Sequence, residues 1–486
     1  MERIRVRFPP SPTGFLHIGN ARTALFNYLF SKHHGGDFVF RIEDTDTERS
    51  KEDFVENEIE SLKWLGLKWD EGPEIGGKRG PYRQSQRLDL YIKYVNELLE
   101  SGKAYYCFCT SDQIDEDRKK SMETGEAAKY SGRCRNLSKD VINNNIKNNI
   151  PYSIRFKLPD NEEKIAIIDL IRGEMFFSVK ELDDFIIIRS NGIPTYNFAV
   201  VIDDHLMEIT HILRGEDHLF GNTPRQLLLY KALNFRIPHF AHFPMILGSD
   251  KTKLSKRHGA FAVTDYKNLG FLPQAIVNYM ALLGWSPKND REFFELDELI
   301  EFFDITNINL SPAVFDYEKL KWFNAEYLRR KTGKELLSYI KGDLEKEKLI
   351  SDDKIDIDRI EQTIELSKSH FTLITDILPY LKNIWNYNGV NKENLNMFNL
   401  QEAEIIINSM INKINEISGW NVENIYLIIK STGKENNLKG KSLYHPLRIC
   451  ITNEEAGLDL NIIIFLLGKK RILEIFEKVL ILIRGV

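Results

Sequence analysis

Two short stretches of this chain combine residue types that together can handle a polyphosphate. The first, Pro10-Ser11-Pro12-Thr13-Gly14-Phe15-Leu16-His17-Ile18-Gly19-Asn20, lies between a strand-like segment and a helix-like one. A helix N-terminus offers unpaired backbone N–H groups and the positive end of the helix dipole, glycines let a phosphate come close, and an imidazole can donate to a phosphate oxygen. The second, Asp250-Lys251-Thr252-Lys253-Leu254-Ser255-Lys256-Arg257-His258-Gly259, is rich in cations and small residues and follows the strand-like segment 243–247. Lysines on a mobile loop can close over a triphosphate and neutralise the charge that builds as pyrophosphate leaves. Taken singly, the first stretch also fits a tight turn with an incidental histidine, and the second an ordinary solvated loop; together they are far more specific. A third cluster is Cys107-Phe108-Cys109 with Tyr130-Ser131-Gly132-Arg133-Cys134. Three thiolates at this spacing could wrap a tetrahedral zinc ion if Tyr130 or another group supplied the fourth ligand. Three reduced thiols in a small core fit the same spacing. Cys450 lies in a different region and reads as a buried apolar residue.

These groups need elements to position them. Arg5 and Arg7 alternate with Ile4, Val6 and Phe8, the period of a strand, and the turn residues at 10–14 stop it. Ala21, Ala24, Leu25, Tyr28 and Leu29 recur at helical steps until Gly35-Gly36. A second strand over 38–43 precedes a helix marked by Val55, Ile59, Leu62 and Leu65, with Ser50 and Asp53 resembling a capping box. Strand, helix, strand, helix implies an α/β, doubly wound parallel sheet. Between about 100 and 190 the character changes to a Cys- and Lys-containing segment and short strands at 152–158, 164–168 and 185–189, which reads as an insertion. The α/β pattern resumes at 195–201 and 209–213, and Thr223-Pro224 supplies an N-cap and first-turn proline for a helix through Leu227 and Tyr230. From Pro273 onward amphipathic helical stretches dominate, for example 320–328, 360–366 and 422–429. The Asn/Ile/Lys-rich tract 143–150 reads as a loop of biased composition, and no internal repeat is evident. His33 and His34 fit no motif and read as surface residues, while His205, His211 and His218 receive no role.

Composition narrows the function classes. A chain of 486 residues holds about three domains at roughly 150 residues each, which excludes a single small binding module. With 42% hydrophobic and 28% charged residues the chain is an ordinary globular one rather than disordered or collagenous. Lys plus Arg number 66 against 71 Asp plus Glu, so any grip on nucleic acid must be a local basic face. The start carries no apolar signal region, no run approaches a membrane span, and four cysteines in this length are no disulfide framework, all of which places the chain in the cytosol.

The two phosphate-handling stretches, read as HIGN and KLSKR, resemble the two ATP motifs of class I aminoacyl-tRNA synthetases. The resemblance narrows to the bacterial-type glutamyl-tRNA synthetases through Arg7-Phe8-Pro9-Pro10-Ser11-Pro12-Thr13-Gly14, Arg41-Ile42-Glu43-Asp44-Thr45-Asp46, Gly80-Pro81-Tyr82-Arg83-Gln84-Ser85, Gly192-Ile193-Pro194-Thr195-Tyr196-Asn197 and Phe315-Asp316-Tyr317-Glu318-Lys319-Leu320-Lys321-Trp322. Pro446-Leu447-Arg448 and Leu466-Leu467-Gly468-Lys469 extend it to the C-terminal region. The resemblance implies a Rossmann-type catalytic domain in two halves, 1–100 and 191–268, around an inserted α+β acceptor-end domain, 101–190. A helical stem-contact domain, 269–330, and an all-α anticodon-binding region, 331–486, would follow.

By the same resemblance the enzyme activates L-glutamate with ATP and Mg²⁺ and charges tRNA-Glu, with the 2′-hydroxyl of the terminal adenosine attacking, and it is a monomer. His17, Lys253 and Lys256 are expected to catalyse by holding phosphates, with Thr13, Gly19 and Leu247 also binding ATP. Arg7 is expected on the substrate side-chain carboxylate, Ser11 and Glu43 around the α-carboxyl and α-amino groups, and Tyr196 and Arg214 completing the pocket. Physically, Arg7 and Glu43 fall near the carboxyl ends of two adjacent parallel strands, where open α/β sheets bind ligands. An arginine forks onto a carboxylate and favours glutamate over glutamine; the alternative for Arg7 and Arg214 is a structural ion pair. Some relatives carry zinc in the Cys107–Cys134 segment, but Asn136, where such relatives can have His, is a poor ligand. Glutaminyl-tRNA synthetase is disfavoured because its anticodon region is built of β-barrels, and a shorter relative that glutamylates a tRNA base because it lacks such a region. A catalytically dead paralogue is disfavoured because His17, Lys256, Arg7 and Glu43 are all present. Contacts to tRNA are expected at Lys319, Lys321, Trp322, Arg329 and Arg330. Charging of tRNA-Gln as well as tRNA-Glu turns on one or a few side chains that read the third anticodon position. In the candidate stretch Ser367-Lys368-Ser369-His370-Phe371 there is no arginine to enforce a cytosine, which leans toward the relaxed reading.

Overall fold

The strands Arg5–Phe8 and Asp37–Phe40 pair in parallel, Arg5 opposite Asp37 and Phe8 opposite Phe40, and the helix Ile18–His33 makes the crossover that such a pair requires. Beside them runs His211–Gly215: the Thr210 amide donates to the Arg5 carbonyl at 3.0 Å, and the Arg5 amide donates to Thr210 Oγ1 at 2.8 Å. His211–Gly215 pairs in parallel with His239–Phe243, which in turn pairs in parallel with the end of Lys164–Asp169. The hairpin partner Gly173–Ser178 closes that edge antiparallel. Every residue of Arg5–Phe8 is buried, as a parallel strand covered on both faces must be, so its two arginines need partners inside the protein. The hairpin Lys164–Asp169 and Gly173–Ser178 comes from the segment read as an insertion yet joins the sheet of His211–Gly215 and His239–Phe243 through its first strand, whereas Ala104–Cys107, Ser153–Phe156 and Ile186–Ile188 form a separate antiparallel sheet.

This computed structural model describes residues 3–46, 48–123, 129–252, 254, 261–347 and 357–485. The chain divides into two units, one of residues 1–268 with 273–320, the other of 321–486 with 269–272. Among its described residues the second unit contains helices and no strand, including Gly333–Lys346, Leu400–Glu416, Val422–Glu435 and Lys469–Arg484. Their buried residues recur at helical steps, for example Ala403, Ile406, Ile407, Met410 and Ile414. No described helix is long and apolar enough to cross a membrane.

Three local expectations need correction. The helix Glu52–Trp64 starts after Lys51 with no side-chain cap, so Ser50 and Asp53 form no capping box; Glu52 and Asp53 favour the first turn through the dipole instead. The Asn-rich tract is a loop only at its end: 143–147 belong to the helix Lys139–Lys147, with Ser138 accepting from the Val141 amide, and 148–150 follow it. An N-cap satisfies the first-turn donors, and that signal outweighed the poor helix propensity of the asparagines. Thr223 is not a cap but the first helical residue of Thr223–Ala232, after Asn222. Its hydroxyl is engaged elsewhere, in the site described next.

Candidate active site

At the carboxyl ends of the parallel strands lies a cavity of about 650 Å³. Arg7, Ser11, Thr13, His17, Gly19, Glu43, Tyr196 and Arg214 all line it, although they come from four separate stretches of sequence. Leu247 does not; its neighbours Ile246 and Leu254 do. Lys253 and Lys256 lie outside the described residues. The flanks of their loop are described: the Leu254 amide donates to Ile246 O at 3.4 Å, and on the return the Val263 amide donates to Leu16 O at 2.8 Å, next to His17.

The phosphate-handling end is built by the helix Ile18–His33. His17 is its N-cap residue, and His17 Nδ1 accepts the Gly19 N–H at 3.1 Å. With Nδ1 an acceptor, the neutral ring carries its proton on Nε2 as a donor. A Cβ on Gly19 would stand 3.1 Å from His17 Cε1, so glycine is what lets the ring lie over the helix start.

The other end is a buried charge network. Arg7 sends Nε to both oxygens of Asp204 at 3.3 Å. Arg41 bridges Asp204 (2.7 Å) and Glu43 (2.9 Å). Asp203 is held by Gln84 at 2.8 Å, Arg87 at 2.5 Å and the Tyr91 hydroxyl at 2.9 Å. Burial pushes the Glu43 carboxyl up to about 7 despite the Arg41 guanidinium beside it. Arg7 therefore has an ion-pair partner, but one that occupies only Nε. Its Nη1 and Nη2, and Nη1 of Arg214, are buried with no hydrogen-bond partner among the described residues. Buried guanidinium donors cost free energy unless paired, so three of them at one cavity suit a carboxylate-bearing ligand.

Arg41, Asp204 and His218 were not singled out from sequence. Asp203 and Asp204 end the apolar run Phe198-Ala199-Val200-Val201-Ile202, and two acids closing a buried helix stretch are a signal that could have found them. His218 lines the cavity with its ring 5.8 Å from that of Tyr196, and burial together with the Arg214 charge holds its pKa down to about 4, so it stays neutral. His33 and His34 are exposed.

The cysteine cluster stands apart from this cavity. The sulfurs of Cys107, Cys109 and Cys134 lie within 4.8 Å of one another, and the Tyr130 hydroxyl is 3.4 Å from Cys107 Sγ and 3.7 Å from Cys109 Sγ. Hydrogen bonds from Cys134, Tyr130 and Arg155 hold the Cys107 pKa below the usual thiol range and so favour the thiolate, the form a metal would take. Three thiols and a phenol oxygen converging this closely fit a tetrahedral zinc ion; Asn136 is exposed and adds nothing.

Comparison with known proteins agrees with this geometry. Residues 3–322 match the family described as tRNA synthetases class I (E and Q), catalytic domain, and residues 325–480 match an anticodon binding domain. The chain is 45% identical over 479 residues to the glutamate–tRNA ligase of Sulfurihydrogenibium sp., covering 96% of this chain and 97% of that one. It is 43% identical to that of Aquifex aeolicus, covering 98% and 100%. A solved structure of a glutamate tRNA ligase from Elizabethkingia meningosepticum in complex with its amino acid superposes with a TM-score of 0.89 at 34% identity, covering 99% of each chain. A buried arginine pair facing a capped helix N-terminus across one cavity, on this topology and with these relatives, leaves one assignment: the chain belongs to the class I tRNA synthetase family for glutamate and glutamine, on its glutamate–tRNA ligase branch.

Proposed function

We infer that the protein is an ATP-dependent ligase that activates L-glutamate and transfers it to tRNA-Glu. The observation that carries the amino-acid choice is the set of unpartnered guanidinium nitrogens of Arg7 and Arg214 beside Glu43. In this reading Arg7 and Arg214 take carboxylate oxygens of glutamate, Glu43 faces the α-ammonium, Ser11 the α-carboxyl, and Tyr196 closes the pocket. His17 Nε2–H, Thr13 and Gly19 meet the phosphates of ATP, with Lys253 and Lys256 closing over them. Mg²⁺ bound with the nucleotide supplies charge neutralisation there. An oxygen of the α-carboxylate bonds to the α-phosphorus as the bond to pyrophosphate breaks, giving glutamyl-adenylate. The terminal 2′-hydroxyl then bonds to the adenylate carbonyl carbon, AMP leaves, and the hydroxyl proton passes to solvent or phosphate. No side-chain nucleophile is needed; catalysis is positioning and charge stabilisation.

The finer reading assigns 1–100 and 191–268 to the catalytic domain, 101–190 to the acceptor end, 269–330 to the tRNA stem and 331–486 to the anticodon. It places the protein in the cytoplasm as a monomer, with zinc on Cys107, Cys109, Tyr130 and Cys134, and it extends charging to tRNA-Gln because 367–371 carries no arginine. Amino-acid-dependent exchange between ATP and labelled pyrophosphate, with and without tRNA-Glu, tests the central assignment. Exchange driven by glutamate and not by glutamine is expected. Exchange with glutamine alone would make it a glutaminyl enzyme, and none with either amino acid would make it an inactive paralogue.

A further inference from the structure

Arg214 is a pocket arginine whose guanidinium meets no carboxylate among the described residues; its orientation is set by neutral groups. Its Nη2 donates to Thr223 Oγ1 at 2.8 Å and Gln226 Oε1 at 2.9 Å, and its Nε donates to His242 Nε2 at 3.2 Å. An arginine Nε always carries its hydrogen, so His242 Nε2 must be the bare, accepting nitrogen. The imidazole proton then sits on Nδ1, which lies 2.7 Å from Asp169 Oδ2. Asp169 is fixed in turn, because its Oδ1 accepts the amides of Ile171 at 2.9 Å and Arg172 at 3.0 Å in the turn that follows its strand. All of Asp169, His242, Thr223, Gln226 and Arg214 are buried, so water cannot substitute for a lost partner. Burial and the nearby cations Arg214 and Arg172 keep His242 neutral, against the pull of Asp169.

We propose that Asp169 and His242 are positioning residues for glutamate binding, which hold Arg214 with Nη1 aimed at a substrate carboxylate through the imidazole tautomer that Asp169 imposes. This rests on the glutamate reading of the pocket. It gives the hairpin Lys164–Asp169 and Gly173–Ser178, which joins the catalytic sheet from within the inserted segment, a defined contribution to amino-acid recognition. An Asp-His-Thr arrangement, with Thr223 Oγ1 3.0 Å from His242 Nε2, also suggests a hydrolytic triad, but Thr223 accepts from Arg214, its one proton has both His242 Nε2 and the His218 carbonyl at 3.1 Å as acceptors, and its side chain is fully buried away from the cavity, so it is no nucleophile.

The tautomer makes the proposal testable with an isosteric change. In Asp169→Asn the two backbone amides still require an oxygen at Oδ1, which turns the amide nitrogen toward His242. That nitrogen can only donate, so His242 must accept at Nδ1 and carry its proton on Nε2, where it can turn to Thr223 Oγ1 but no longer accepts from the Arg214 Nε–H. Two measurements follow. The imidazole nitrogen–proton correlation spectrum of the protein labelled with ¹⁵N-histidine, assigned by loss of the His242 signals in His242→Gln, should read Nδ1–H in the wild type and Nε2–H in Asp169→Asn. In pyrophosphate exchange the KM for glutamate should rise about tenfold or more while the KM for ATP stays within about twofold. An unchanged tautomer or an unchanged glutamate KM overturns the proposal. If Asp169→Asn does not fold, His242→Gln and His242→Phe decide: the glutamine can donate to Asp169 and accept from Arg214, so only the phenylalanine should raise the glutamate KM, and equal values for the two overturn it. A wild-type protein without glutamate-driven exchange would defeat the functional reading itself, while the tautomer of the wild type would still report on the dyad.

Discussion

Near neutral pH Glu43 is divided between its two protonation states, because burial pushes its carboxyl up to about 7 against the opposing pull of Arg41. Only the carboxylate can pair with a substrate ammonium, and a proton competes with the substrate below that value. The sign is therefore fixed: the KM for glutamate falls as pH rises through about 7, with a limiting slope of about tenfold per pH unit below it, and Glu43→Gln flattens the profile while raising KM throughout. Pyrophosphate exchange at several pH values checks it, with the KM for ATP as control. At this scale Arg7 and Glu43 were legible because they stand at strand ends next to a turn. Asp204, Asp169 and His242 were not, because each acts through a partner far away in sequence: Arg7 and Asp204 are 197 positions apart, and His242 and Asp169 are 73 apart. A buried histidine in the strand His239–Phe243 gives no hint that its tautomer matters.

On the proposed reading ATP binding depends on the helix Ile18–His33, whose N-cap His17 and first-turn residues Gly19 and Asn20 line the cavity. Gly19→Val would press a branched side chain against the His17 ring, whose Cε1 already stands 3.1 Å from where a Cβ would be. The KM for ATP should rise about tenfold, and thermal stability should change little because the site is at the surface end of the helix. Equal effects on the ATP and glutamate KM values would contradict this division of labour. This helix and the strand before it were readable from sequence because turn residues at 10–14 and 35–36 bound them. The helix Lys139–Lys147 was not, because its asparagines mask a cap at Ser138, and the hydroxyl of Thr223 was assigned to capping when a buried arginine claims it. Both errors arise where tertiary or capping contacts override local composition.

For the whole molecule, the formal charge of minus 5 sets a constraint: tRNA must be held by local cations rather than by a global field. The helix Tyr317–Arg330 carries Lys319, Lys321, Arg329 and Arg330, with Trp322 41% exposed and able to stack. Affinity for tRNA-Glu should fall at least about tenfold between roughly 50 and 200 mM salt, and a binding titration insensitive to salt would exclude these phosphate contacts. The helical make-up of 321–486 was legible in its amphipathic stretches, but the identity of the side chains that read the anticodon was not, since recognition of one base edge needs no sequence pattern. With no arginine in 367–371, charging of tRNA-Gln transcripts with labelled glutamate is expected; its absence at saturating enzyme would mean the reading is strict. The central claim meets its most direct test in one assay: ATP-dependent formation of acid-precipitable labelled glutamate on a tRNA-Glu transcript, with labelled glutamine in a parallel reaction. Glutamyl-tRNA should form and glutaminyl-tRNA should not; glutaminyl-tRNA in place of glutamyl-tRNA, or no charging with either amino acid, would contradict the account.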